Sequence, residues 1–202
     1  MKLVLASNNH GKLAELQAMF APLGFELVTQ ASLGVAEAPE PYRTFVENAL
    51  TKARNAAQAS GLPALADDAG LCVEAFGGRP GVDTAFYATQ HGYAKGDGNN
   101  VRALLEQMRD VDDRRAAMVC TLVALRTPLD PEPLIAVGRA QGEITREPRG
   151  GNGFGFDPVM FIPQFGRTFA ELSDEVKNAN SHRGRAALAM AQLMRERWLA
   201  RP

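Results

Sequence analysis

A chain of 202 residues with a formal net charge of -1 is long enough for one well-buried domain and carries no overall attraction for nucleic acid or an anionic membrane. Any anion site must therefore be local. No apolar run approaches membrane-spanning length, and the N-terminal run at residues 3–6 is too short for a secretion signal. The expectation is a soluble cytoplasmic protein that binds neither nucleic acid nor membrane.

Taken in chain order, residues 2–6 read as a buried strand and residues 7–12 as a polar loop leading into a helix. That helix carries Leu13, Leu16, Met19, Phe20 and Leu23 on one stripe and stops at Gly24. Residues 25–29 read as a second strand. Thr44-Phe45-Val46-Glu47 forms a capping box opening an alanine-rich helix that ends at Gly61. Residues 63–66 and 71–75 are two short apolar runs separated by Asp67-Asp68-Ala69-Gly70. A loop at 77–81 and a helix over 99–108 follow. Residues 116–126 and 134–145 read as an antiparallel pair, residues 150–153 as a glycine-rich loop, and 156–162 as a strand. The final helix starts near Ser181, with Ala187, Leu188, Ala191, Leu193 and Met194 on its apolar side. Cys72 and Cys120 each lie in an apolar strand-like run without ligand spacing, which predicts buried thiols rather than a disulfide or metal site. Strands mixed with helices predict a single α/β domain over 1–202 with a mixed sheet rather than a simple doubly wound fold.

Four groupings can carry chemistry. Residues Ser7, Asn8, Asn9, His10, Gly11 and Lys12 join a strand to a helix, so backbone N–H groups and the positive helix end can hold phosphate. The P-loop spacing is absent, and an ordinary capped turn reads equally well. Asp67-Asp68 pairs two carboxylates whose repulsion a divalent cation relieves, and a carboxylate there can take a proton from water; a simple acidic turn competes. Phe154-Gly155-Phe156-Asp157 sets aromatic faces and an acceptor among glycines, which suits a purine, although the aromatics can instead fall back into the core. Ser181-His182-Arg183-Gly184 places two cationic residues at a helix start, where an anion or polar base would offset their unfavourable position. Asn48 and Lys52 lie four apart on one helical face.

No one of these decides the matter, but their order does. The blocks 5–12, Phe45-Val46-Glu47-Asn48-Ala49 with Lys52-Ala53, Ala66-Asp67-Asp68-Ala69-Gly70-Leu71, Gly77-Gly78-Arg79-Pro80-Gly81, Gly153-Phe154-Gly155-Phe156-Asp157-Pro158 and Ser181-His182-Arg183-Gly184 resemble the inosine/xanthosine triphosphate pyrophosphatase family. They run in family order across nearly the whole chain.

The resemblance implies a mixed α/β fold with a long curved sheet and flanking helices forming two lobes around a substrate cleft, and a homodimer. It implies water attack on the α-phosphate of deaminated purine triphosphates (ITP, dITP, XTP), giving a monophosphate and pyrophosphate with Mg2+. On matching positions, Asp68 would be the proton acceptor and, with Glu40, a metal ligand. Ser7, Asn8, Asn9, His10, Gly11, Lys12, Lys52 and Lys177 would bind phosphates, with the Ala69 backbone N–H available beside them. Phe154, Gly155, Phe156, Asp157, His182 and Arg183 would enclose the base.

Three positions depart from the family pattern. Ala69 replaces a hydroxyl residue, Phe156 a frequent tyrosine, and Phe86 an arginine. Alternatives are a Maf-like pyrophosphatase for other modified nucleotides, which the Asp-Asp-Ala-Gly and Ser-His-Arg-Gly blocks oppose, and a nucleotide-binding regulator that has lost catalysis.

Overall fold

The computed structural model describes residues 1–199, apart from the side chain of His10. Among the described residues, seven strands form one open sheet in the order β2-β1-β3-β4-β5-β6-β7. They are β1 (Lys2–Leu5), β2 (Glu26–Thr29), β3 (Ala64–Val73), β4 (Arg115–Leu125), β5 (Leu134–Ile144), β6 (Met160–Ile162) and β7 (Arg167–Thr168). β1 runs parallel to β2 and β3, whereas β6 is antiparallel to β5 and β7. The helices are α1 (His10–Phe20), α2 (Phe45–Ser60), α3 (Tyr87–Gln90), α4 (Asp97–Gln107), α5 (Asp174–Asn180) and α6 (His182–Met194). The mixed α/β expectation is met. No helix among the described residues is long and apolar enough to cross a membrane.

The chain divides into two compact units, and β3, β4 and β5 contribute to both. The first comprises Met1–Asp68, Cys120–Gly138 and, of the described residues, 183–199. Its core sets Ala49, Ala53, Ala56 and Ala57 of α2 against Val4, Ala6, Ala64, Ala66, Val123 and Leu125. Alanine at these positions favours the helix and keeps its inner face thin, so backbone and sheet come close. The second unit comprises Ala69–Val119 and Arg139–His182. Bulkier side chains fill its core, among them Leu71, Met118, Ile144, Phe156, Met160 and Phe169.

Several local expectations need correction. The two apolar runs around Asp67-Asp68 are one continuous strand, β3, so the acid pair sits inside a strand rather than in a turn. Thr44 does cap α2, its hydroxyl oxygen accepting from the Glu47 N–H. Glu47, however, accepts from the Thr44 hydroxyl at 2.6 Å rather than from a backbone N–H, so only half of the capping box forms. Residues 156–159 are not strand, because a 3-10 turn over Asp157–Val159 delays β6 to Met160. Pro158, which has no N–H to give a ladder, sits in that turn. A short helix, α5, capped by Ser173, precedes α6 and was not expected. On α6, Leu188 is exposed, and Ala186, Ala187, Met190, Ala191 and Met194 form the buried side. Cys120 is buried and Cys72 half-buried, both as free thiols. Burial pushes the Cys120 thiol up to about 12.

Candidate active site

β3 explains how neighbouring acids come to lie in different surroundings. Side chains on a strand alternate between faces. Ala64 and Ala66 lie in the core with α2, and Asp68 continues that row, meeting Asn48 and Lys52 of α2. Asp67 points the other way, to Lys12 of α1 and Arg183 of α6. The register pairs Leu5, the last residue of β1, with Leu65. Asp67 and Asp68 therefore lie just beyond the carboxyl end of β1, where the chain turns into the loop ahead of α1. The carboxyl ends of parallel strands are where α/β sheets bind ligands.

Asp67 is fully buried and held by two cations. Lys12 Nζ lies 3.0 Å from Oδ1 and 2.9 Å from Oδ2, and Arg183 Nη2 lies 3.5 Å from Oδ2. Arg183 reaches in turn to Glu15 Oε2 at 2.8 Å. Burial alone would raise the Asp67 carboxyl, but Lys12, Arg183 and Lys52 outweigh it and hold the group well below the usual carboxylate range.

Asp68 balances differently. Burial raises its carboxyl, and Lys52 and the Asn48 hydrogen bond only partly oppose that, while Glu40 and Asp67 push the same way as burial. The result is a carboxyl lifted to about 6. Asn48 Nδ2 donates to Asp68 Oδ2 at 3.2 Å and to the Tyr42 carbonyl, while Asn48 Oδ1 accepts from the Tyr42 N–H. Lys52 Nζ lies 2.8 Å from Glu40 Oε2 and 3.5 Å from Asp68 Oδ1. Burial lowers the Lys52 ammonium, yet Asp68, Asp67 and Glu40 more than compensate and raise it. The Lys52 side chain therefore keeps its proton.

The loop before α1 is ordered from within. Asn9 caps the helix, accepting from the Lys12 N–H at 3.1 Å, and its own N–H donates to Ser7 Oγ. Asn8 Nδ2 donates to Glu37. His10 begins α1, and its side chain lies outside the described residues. Ser7, Lys12, Glu37, Glu40, Lys52 and Asp67 line a polar cavity of about 90 Å³, with Ala6, Gln30 and Ala38. No group of three His, Cys, Asp or Glu side chains suited to a metal occurs among the described residues. Glu37, Glu40 and Asp67 are the acids of that lining, and Asp68 lies beside it, sharing Lys52 with Glu40, so the carboxylates of Glu40 and Asp68 are the two candidate donors for the expected metal. Such a sparse set fits Mg2+, which keeps several waters and binds through one or two carboxylates plus substrate phosphates.

In the second unit, Asp157 is buried with Lys177, whose Nζ lies 2.8 Å from Oδ2. The same oxygen accepts from the Phe154 N–H at 2.9 Å. The Lys177 ammonium also sits 4.8 Å from the centre of the Phe154 ring. Gly153 allows this closeness: a Cβ there would lie 2.2 Å from Asp157 Oδ2, and its φ of +76° already favours glycine. The Gly155 N–H donates to Asp97 Oδ2 at 2.8 Å. Phe154 keeps a partly exposed ring, whereas Phe156 is buried in the core of this unit. Of the two expected aromatic faces, only Phe154 can meet a ligand.

The structure thus brings together Ser7, Lys12, Glu40, Lys52, Asp67 and Asp68 in the first unit, and Phe154, Asp157 and Lys177 in the second. His182 and Arg183 are both buried at the start of α6. Ala69 follows Asp68 on β3 and is half-buried. Phe86, at the departure from the family pattern, is half-exposed with the Lys95 ammonium 4.4 Å from its ring centre. Sequence reasoning passed over Glu15, which has no local signal because its partner, Arg183, is 168 residues away. Asn48 had a signal in its four-residue spacing from Lys52, although its grip on Asp68 was not foreseen.

The fold and this grouping define a class: mixed α/β proteins that gather carboxylates, lysines and a helix N-terminus beyond the ends of parallel strands. The chain belongs to the Ham1 family, whose profile matches residues 3–193. It is 77% identical over 199 residues to a dITP/XTP pyrophosphatase of Albidiferax ferrireducens, covering 98% of this chain and all of that protein. It is likewise 77% identical over 198 residues to a dITP/XTP pyrophosphatase of Paracidovorax citrulli, again covering 98% and 100%. Among solved structures, a HAM1 protein from Coxiella burnetii superposes with a TM-score of 0.90 at 43% identity, over 97% of this chain and 99% of that one.

Proposed function

We propose that this protein hydrolyses the deaminated purine nucleoside triphosphates dITP, ITP and XTP to the nucleoside monophosphate and pyrophosphate, clearing them from the cytoplasmic nucleotide pool. The observation that carries the reading is Asp68, a buried carboxyl lifted to about 6 beside Glu40 and Lys52. A general base works best with a pKa near the operating pH. The substrate class comes from the dITP/XTP pyrophosphatases that match this chain from end to end.

In this reading all 202 residues serve one pyrophosphatase domain. Asp68 takes a proton from the water that attacks the α-phosphorus. The bond from that phosphorus to the α–β bridging oxygen breaks, and pyrophosphate leaves. Lys12, Lys52 and Lys177 bind phosphate oxygens, as do Ser7, Asn8, Asn9, His10 and Gly11 at the start of α1 and the Ala69 N–H. Glu40 and Asp68 would hold Mg2+, which supplies charge neutralisation to the phosphates when bound. Phe154, Gly155, Phe156, Asp157, His182 and Arg183 recognise the base, Phe156 through its backbone. The Arg183 guanidinium is engaged by Glu15 and Asp67, so its share in base recognition falls to the backbone.

Hypoxanthine and xanthine present an oxygen at C6 and a proton on N1, where adenine presents an amino group and an acceptor. A site matched to the first pattern leaves buried groups unpaired with the second, and such mismatches discriminate strongly. A panel of ITP, dITP, XTP, GTP and ATP with Mg2+, scored separately for pyrophosphate and orthophosphate, tests the proposal. Pyrophosphate from ITP, dITP and XTP, with ATP and GTP cleaved far more slowly, is the expected result. Equal cleavage of all five, or release of orthophosphate, would overturn it. The protein is further expected to act as a homodimer, and sedimentation equilibrium giving the mass of one chain would refute that.

A further inference from the structure

We propose that Lys52 is an exchangeable counter-ion for the Glu40–Asp68 pair, holding the two carboxylates together and keeping divalent-cation affinity low until substrate draws its ammonium away. The inference rests on the reading of Glu40 and Asp68 as the metal-binding carboxylates.

Lys52 Nζ lies 2.8 Å from Glu40 Oε2 and 3.5 Å from Asp68 Oδ1, so one ammonium bridges both groups. Its side chain and that of Asp68 are largely buried, which limits screening of that contact, while Glu40 reaches Lys52 from the solvent side. The other nearby acid, Asp67, is already matched by Lys12 and Arg183. The positive charge of Lys52 is thus directed at the two oxygens that a metal would need. Asn48, one turn earlier on α2, holds the other oxygen of Asp68 and the Tyr42 backbone. Asp68 is therefore held by α2 through Asn48, and what joins it to Glu40 is the end of a flexible four-carbon stem.

A cation entering between Glu40 and Asp68 meets both competition for their oxygens and repulsion from the ammonium. Both effects act in the same direction. The Lys52 stem can swing its charge toward the cavity it lines with Lys12 and Ser7, and phosphate oxygens arriving there would offer an alternative partner. Whatever draws Lys52 from the carboxylates strengthens metal binding, and by linkage metal binding strengthens the hold on that ligand.

The test is Mn2+ binding to the intact protein without nucleotide, followed by the electron paramagnetic resonance signal of free Mn2+ and by calorimetry. Lys52→Met is expected to bind Mn2+ tighter than wild type by about tenfold or more, since a unit charge a few ångströms away in a partly buried site is removed. Lys52→Arg should show no such gain. Adding Glu40→Gln to Lys52→Met should abolish it, placing the effect at this pair. Turnover of Lys52→Met should fall even as its metal affinity rises, a split that general loosening of the fold does not produce. Mn2+ binding by Lys52→Met equal to or weaker than wild type would overturn the proposal. So would a gain shared by Lys52→Arg or one that survives Glu40→Gln. Should Lys52→Met not fold, Lys52→Gln is held to the same outcomes. Because no nucleotide is present, this result stands apart from the substrate panel.

Discussion

Replacing Asp68 by Asn is expected to slow turnover by on the order of 10²–10⁴-fold, the usual contribution of a positioned base, while nucleotide binding persists. The same change is expected to stabilise the protein at neutral pH. In the folded chain the Asp68 carboxyl is lifted from 3.8 to about 6 by burial, with Glu40 and Asp67 adding to the shift. A raised value means that the folded state holds the proton more tightly than the unfolded one. Its stabilising contribution is complete below about pH 4 and is lost as pH rises through about 6. Above that, the wild type bears an ionised carboxylate that it would hold more favourably unfolded. Asn keeps the shape and removes the charge. The expected gain is about 1–3 kcal/mol at pH 7.5, shrinking to nothing near pH 4. Melting curves at the two pH values check it, and a lower Tm for Asp68→Asn at pH 7.5 would contradict the account. Under the proposed reading, this cost to stability is the familiar trade-off of a carboxylate kept for catalysis.

Asp67→Asn should do the opposite. Asp67 is fully buried against Lys12 and Arg183, and removing one partner of a buried ion pair costs about 3–5 kcal/mol, because the remaining charge loses its match. For a chain of this size that corresponds to a drop in Tm of roughly 6–20 °C. The sign with pH also reverses. The folded carboxyl lies well below its ordinary value, so its contribution is present above the unfolded value and is lost only as pH falls through the lowered folded one. The gap between wild type and Asp67→Asn should therefore stay constant from pH 8 down to about pH 4 and narrow only below that. A gap that closed by pH 5, or a variant as stable as wild type at pH 7, would show that the pair is not held as described. Two neighbouring acids on one strand thus carry opposite stability predictions, and the alternation of β3 is the reason.

Much of the fold was legible because its signals are local. A capping threonine, an alanine-rich helix with a left-handed glycine at Gly61, and a polar loop between strand and helix depend on residues within a few positions of one another. The errors share a cause. The acid pair looked like a turn because adjacent carboxylates are poor strand residues. They lie in β3 because Lys12, Lys52 and Arg183, supplied from three helices, neutralise them, and no local pattern displays that. Phe156 looked like a face for a base, and the core of the second unit claims it instead.

By itself the sequence determined which blocks carry chemistry and the family they resemble, since order and spacing are properties of the chain alone. It also placed both ends of α2, through the Thr44 cap and the left-handed Gly61. The resemblance singled out Asp68, but only the tertiary structure supplied the physical difference between Asp67 and Asp68. Ionisation depends on the charges and burial that distant segments bring to within a few ångströms, and the feature that separates these two acids is which face of one strand each occupies. Asp67 meets the cations of α1 and α6 and stays charged. Asp68 meets α2, shares Lys52 with Glu40, and retains its proton to higher pH.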